Sequence, residues 1–105
     1  KKNGDLLIPP LYNYLRRDST HYITCAYSDG RNQCYLRDNS GATLHTKYYD
    51  AIENFSNTLY RVRKNNYYGA IDTNGKEVIP CVYDALLQQA DSALLVKFHG
   101  LYGII

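Results

Sequence analysis

The sequence predicts an all-β fold of three tandem repeats of about 35 residues, each a three-stranded antiparallel meander, and three observations carry that expectation. The pattern Gly41, Tyr49-Asp50, Tyr68-Gly69 returns as Gly75, Tyr83-Asp84, Tyr102-Gly103, every member displaced by the same interval that separates Gly41 from Gly75. A fainter copy, Gly4, Leu7-Ile8-Pro9 and Tyr12-Asn13, precedes them at a slightly longer interval, with extra residues between Tyr12 and Cys34. Short apolar runs separated by Asp29-Gly30 and Asn74-Gly75 read as hairpins rather than helices. With Asp72 opening a unit, residues 1–105 form one domain of units 1–37, 38–71 and 72–105. A unit of this size cannot cover its own apolar face, so stacking neighbours must complete the core.

Taken in chain order, the first hairpin turns at Asp29-Gly30. A two-residue turn there sets Ser28 against Arg31, Ala26 against Gln33 and Cys25 against Cys34. That last pair falls at a non-hydrogen-bonded site, where Cα atoms approach to about 4.5 Å, at the short end of disulfide geometry. Two readings stand side by side: a hairpin disulfide in an oxidising compartment, or two reduced thiols on one strand face, with Cys81 unpaired in either case. A turn at Ser40-Gly41 sets Arg37 against Leu44 and Leu36 against His45.

Strands follow at Leu59 to Arg63 and at Tyr68 to Asp72. An Asn74-Gly75 turn then pairs Ile71 with Val78 and Ala70 with Ile79. Pro80, like Pro9, ends its strand because it has no N–H to donate. Each Tyr-Asp pair and the residues behind it, 51–56 and 85–90, read as a helical turn or irregular connection, with a short helix open at Ala85 to Gln89. The last strands are Ala93 to Lys97 and the segment at Tyr102-Gly103. Two arrangements of the units satisfy this pattern. One is an open array with exposed edge strands; the other is a closed propeller-like ring in which the final strand pairs with the first.

The run Tyr68-Gly69-Ala70-Ile71-Asp72-Thr73-Asn74-Gly75-Lys76-Glu77-Val78-Ile79-Pro80-Cys81-Val82-Tyr83-Asp84 resembles the WG-type repeat family, bacterial β-rich arrays with an aromatic-Gly, Ile-Asp, Gly-Lys, Val-Ile-Pro and Tyr-Asp order. Tyr68 stands where that family has Trp. Cys34-Tyr35 replaces aromatic-Gly in the first unit, and His45-Thr46 replaces Ile-Pro in the second. The resemblance implies a β-repeat scaffold, often joined to other domains or exported, with no shared catalytic residue set. It makes Gly41, Tyr49, Asp50, Tyr68, Gly69, Gly75, Pro80, Tyr83, Asp84, Tyr102 and Gly103 fold-forming residues.

Composition narrows the function by exclusion. A net charge of +2 is too small to point to nucleic acid. No apolar run approaches the ~18 residues of a membrane span, so membrane insertion is not expected, and nothing at the N-terminus reads as a signal peptide. The chain reads as soluble, with its compartment open and export or a cell surface compatible. It begins within a hairpin motif at Lys1 to Gly4, so a leader or further repeats are an expectation upstream. His21, His45 and His99 occupy non-equivalent positions without close-spaced ligand pairs, so neither a metal nor another cofactor is expected. No Cys-His pair has an orienting third group, so no catalytic residue is assigned and no enzyme is expected.

Twelve tyrosines against two phenylalanines, with no tryptophan or methionine, put nearly all aromatic surface on rings that carry a hydroxyl. Tyr60, Arg61, Arg63 and Tyr67 form the candidate binding patch, two guanidinium groups alternating along one strand. The expected function is a non-enzymatic protein-interaction or scaffold module that binds a protein partner or another copy of itself. The alternative is a carbohydrate-binding or cell-surface module, which would set Tyr60, Tyr67 and Tyr68 in one exposed groove for a glycan.

Overall fold

Alternating burial organises the described residues into ten strands and no helix, so the backbone hydrogen bonds go into three antiparallel sheets. The computed structural model describes residues 12–18, 20–56, 58–88 and 94–105; the Gly4 and Leu7-Ile8-Pro9 segment lies outside them. The first sheet contains β1 (Tyr14–Arg17), β2 (Tyr22–Ser28) and β3 (Arg31–Arg37). The middle sheet runs β4 (Ala51–Asn54), β5 (Leu59–Lys64), β6 (Tyr67–Asp72) and β7 (Glu77–Tyr83). The last is made of β8 (Ala85–Gln88), β9 (Leu94–Phe98) and β10 (Leu101–Ile104). None of the three closes on itself, and β10 pairs with no described strand other than β9.

Two apolar cores separate these sheets. Ile23, Leu36 and the Cys25–Cys34 pair of the first sheet meet Ile52, Tyr60, Val62 and Ile71 of the middle one. On its opposite side the middle sheet places Ala70 and Ile79 against Leu86, Leu94 and Val96. The middle sheet is thus covered on both faces, which is why β5 buries Tyr60 and Val62 on one side and keeps Arg61 and Arg63 only half-exposed on the other.

The segments behind Tyr-Asp, expected as a helical turn or irregular connection, form strands at Ala51–Asn54 and Ala85–Gln88, and residues 89 and 90 lie outside the described residues. Ala51 to Asn54 pairs residue by residue with Arg63 to Tyr60, and Ala85 to Gln88 pairs with Lys97 to Leu94. Ile52 and Leu86 are buried while their neighbours are not, a period of two that outweighs the helix propensity of Ala and Leu. The expected three-stranded meander becomes four strands in the middle sheet. Pro80 does not end its strand either. Register shifts between Tyr68 and Ala70 leave three β7 residues, Pro80 among them, opposite Gly69, and β7 is an edge strand, where a missing N–H is tolerated.

The turn between β6 and β7 spans three residues, not two. Gly75 N–H donates to Asp72 O at 3.0 Å, Asp72 N–H to Lys76 O at 2.9 Å, and Gly75 takes φ 84° while Asn74 stays outside the left-handed region. This is a type I turn followed by a glycine bulge. It moves Ile71 opposite Glu77 instead of Val78 and leaves Ala70 opposite Ile79. The same device occurs one repeat earlier, where Gly41 N–H donates to Asp38 O at 3.0 Å and Arg37 lies opposite Thr43 rather than Leu44. In both turns an Asp carboxylate accepts two further N–H groups, from Ser40 and Ala42 or from Asn74 and Lys76.

Candidate functional site

The four residues of the expected patch do not share a surface. Tyr60 points into the first core, is 5% exposed, and donates its hydroxyl to Asp18 across the sheet gap. Burial, reinforced by that carboxylate, pushes its phenol far above the ordinary range. Arg61, on the other face of β5, is a tie between sheets. Its Nε and Nη2 donate to Glu53 at 2.8 and 2.5 Å, its Nη1 donates to Leu86 O at 2.8 Å, and its guanidinium lies over the Phe55 and Tyr68 rings. Arg63 is half-buried and lines a polar cleft between two hairpin tips. Tyr67 is exposed beside the β5–β6 turn, and Tyr68 is half-buried in the second core. Tyr60, Tyr67 and Tyr68 therefore form no common groove for a sugar ring.

The recurring residues have separate structural tasks. Tyr49 is 7% exposed and donates its hydroxyl to Glu77 at 2.7 Å, and Tyr83 packs edge-on against Phe98. Asp50 N–H donates to Arg63 O at 2.8 Å and Asp84 N–H to Lys97 O at 2.7 Å, the same bond one repeat apart. Asp50 also caps the β5–β6 turn through Asn65 N–H. Cys25 and Cys34 are directly opposite and joined by a disulfide, with a Cα separation of 4.1 Å. Cys34 spends its own backbone groups on Tyr49, which is what makes the cysteine pair a non-hydrogen-bonded one.

Gly69 shows what the aromatic-Gly pair accomplishes. A Cβ built there would lie 2.4 Å from Ile79 O, 2.8 Å from Pro80 C and 2.9 Å from Cys81 N, so only glycine lets the β7 backbone cross β6 so closely. In the first unit Tyr35 stands at this position, and the covering segment pairs with β3 only at Thr43 and Tyr49, with one further bond from Leu44 N–H to Leu36 O. His45 fills the gap between those bridges. Its ring stacks on Tyr35, its Nε2 accepts the Leu36 N–H at 3.0 Å, and its Nδ1–H donates to Lys47 O at 2.7 Å. Burial holds its pKa below the usual value, in keeping with a neutral ring that replaces a backbone carbonyl.

Among the described residues the most exposed apolar side chains gather at the end of the last sheet. On β10 and beyond it, Leu101, Tyr102, Ile104 and Ile105 are 76, 65, 69 and 54% exposed. Ala70 and Ile71, the counterparts of Ile104 and Ile105 in the preceding repeat, are both fully buried. Among the described residues the heavy atom nearest the Gly103 Cβ position is Val96 Cγ2 at 3.9 Å. Of these residues the motif contains Tyr102 and Gly103, and the repeat alone does not reveal that the copy in β6 is covered and the copy in β10 is exposed. The capping aspartates Asp38 and Asp72 were equally legible, each at the same place before a motif glycine, yet their role needs the turn geometry to be seen.

The family model of the WG containing repeat matches residues 46–68 and, adjoining it, 68–88. The two matches meet at Tyr68, the aromatic of the aromatic-Gly pair. No curated protein and no solved structure matches the chain.

Proposed function

The chain belongs, through residues 46–88, to the family of WG containing repeats, and from that premise we propose that it is a non-enzymatic protein-interaction module that recruits an extended strand to the edge of β10. The reading takes the three sheets as an open array of three repeats. The observation that supports it is the difference between β6 and β10, equivalent strands of which one is covered by β7 and the other exposes Ile104 and Ile105. An uncovered edge presents N–H and C=O groups in ladder spacing, and apolar side chains beside it add burial to main-chain pairing. A strand laid on β10 in the register of β7 crosses Gly103, where among the described residues the nearest heavy atom to the Cβ position is Val96 Cγ2 at 3.9 Å. The partner this favours is a segment with the β7 pattern, an apolar residue facing inward where Ile79 does, presented by another protein or by a second copy.

The test uses a fluorescent peptide with the sequence of residues 75–84, Cys81 changed to Ser, added to the full chain and to its Gly103→Ala variant. Saturable binding to the wild type, lost in a variant that melts at the same temperature, is the expected result. A peptide that does not bind, or binds both proteins equally, refutes docking at this edge. Light scattering over a concentration series reports whether a second copy supplies the strand.

A further inference from the structure

The first hairpin is longer than its repeat equivalents, and the extra length builds a cleft. Hairpin tips occur at Asp29-Gly30, Asn65-Asn66 and His99-Gly100, all in the left-handed region. The second and third are one repeat apart, whereas the first and second are slightly farther apart along the chain. Strands β2 and β3 have seven residues each where β5 and β6 have six. At about 3.3 Å per residue the first hairpin overreaches its neighbour by a residue or two. Its tip and the β5–β6 tip together enclose an open cleft of about 450 Å³. This site is separate from the β10 edge and does not depend on it.

The lining is polar almost throughout, unlike the mostly apolar walls of ordinary small-molecule pockets of that size. Arg31 and Arg63 contribute two guanidinium groups, Asp50 one carboxylate, and Asn32, Asn65 and Asn66 three side-chain amides. Tyr27, 64% exposed, supplies an aromatic face at the rim. Two of these side chains are incompletely satisfied: among the described residues Asp50 Oδ1 and Arg63 Nε are buried without a hydrogen-bond partner. A buried polar atom left unpaired costs about 1–3 kcal/mol. A ligand donor at Asp50 Oδ1 or a ligand acceptor at Arg63 Nε removes that penalty while Asp50 Oδ2 keeps its bond from Asn65 N–H.

Each feature constrains the ligand. Two cationic groups against one anionic group call for a negative charge, and guanidinium favours a carboxylate it can grip through two N–H donors. Asp50 accepts only, so a bare inorganic anion would face like charge there, whereas hydroxyl groups would donate to it. The amides both donate and accept, which again fits hydroxyls, and an exposed tyrosine ring packs on the C–H face of a sugar. We infer that the cleft between the Asp29-Gly30 and Asn65-Asn66 hairpin tips binds an acidic sugar, a pyranose that carries a carboxylate, with the carboxylate at Arg31 and Arg63 and the ring hydroxyls at Asp50 and the asparagines.

The isotope-labelled full chain is titrated with glucuronate at constant ionic strength, and separately with glucose and with acetate, while backbone amide shifts are followed. Glucuronate is expected to give saturable shifts at Arg31, Asn32, Asn65 and Asn66, with glucose and acetate each at least about tenfold weaker. Arg31→Ala removes an exposed side chain whose one hydrogen bond reaches Tyr48, and Asp50→Asn keeps an acceptor for Asn65 N–H; both are expected to fold and to weaken glucuronate about tenfold or more. Absence of saturable shifts overturns the inference. So does acetate matching glucuronate, which reduces the site to a charge, or glucose matching it, which removes the arginines from the recognition. Unchanged affinity in a folded Arg31→Ala variant places any binding elsewhere.

Discussion

Gly69 and Gly103 hold the same motif position in successive repeats, and Ala in their place is expected to act oppositely. At Gly69 the added methyl meets three backbone atoms between 2.4 and 2.9 Å, where carbon contacts need about 3.4 Å or more, so β7 must retreat by up to about 1 Å. No flexible side chain is present to yield. The retreat separates Ile79 from Ala70 and loosens the packing against Leu86, Leu94 and Val96. Overpacking of this kind costs about 1–3 kcal/mol, and contacts that are all backbone put Gly69→Ala at the upper end, about 3 kcal/mol. For a chain of this length that lowers the melting temperature by roughly 15 °C. At Gly103 the nearest atom is a valine methyl at 3.9 Å, an ordinary contact, so Gly103→Ala should lie within about 0.5 kcal/mol of the wild type or gain slightly from a less flexible unfolded chain. Thermal and urea unfolding followed by far-ultraviolet circular dichroism read both values. If the two variants fall within about 0.5 kcal/mol of each other, the close crossing of β7 over β6 is not what the motif glycine serves.

Four further outcomes rest on side chains placed above. Reducing the Cys25–Cys34 bond, which closes a loop of sequence separation 9, should cost about 2.5 kcal/mol by loop entropy, seen as a lower urea midpoint; an unchanged midpoint contradicts it. Alkylation in urea without reductant should label Cys81 alone, while in the folded protein burial, which pushes that thiol up to about 11, slows the reaction; three labelled thiols would contradict the bond. The pKa of His45 is lowered by burial, so the unfolded chain takes up a proton that the folded one resists. Its contribution is complete above the unfolded value of about 6.5 and is lost as the pH falls from there toward the folded value, by at most about 1.4 kcal/mol per pH unit. His45→Gln, which keeps an acceptor for Leu36 N–H, should flatten this slope, and parallel slopes would exclude His45 as its source. Arg61→Ala should destabilise by about 2 kcal/mol, because the carbonyl of buried Leu86 loses its donor; a neutral result would return Arg61 to the solvated surface.

Local residues determined what local physics controls. Asp29-Gly30 and His99-Gly100 specify tight turns because each pair accommodates positive φ, and the first of them alone aligns Cys25 with Cys34 by counting outward from the turn. The constant interval from Gly41 to Gly75 and from Gly69 to Gly103 marks where one unit repeats the geometry of another. Ala51 to Asn54 and Ala85 to Gln88 were not legible as strands, since four residues with mixed propensity become a strand only when β5 or β9 pairs with them. Arg61 and Tyr60 alternate as a surface strand would, and only the sheets packed on both sides of β5 turn one into an inter-sheet tie and the other into a core residue. By itself the sequence determined the class of fold, the register of the Asp29-Gly30 hairpin and the equivalence of Ile71 with Ile105. Which of those equal residues is buried was decided by tertiary structure alone, because Ile71 lies in the core between the first and middle sheets while Ile105 is half-exposed at the end of the last sheet, and the residue carries no record of its neighbours.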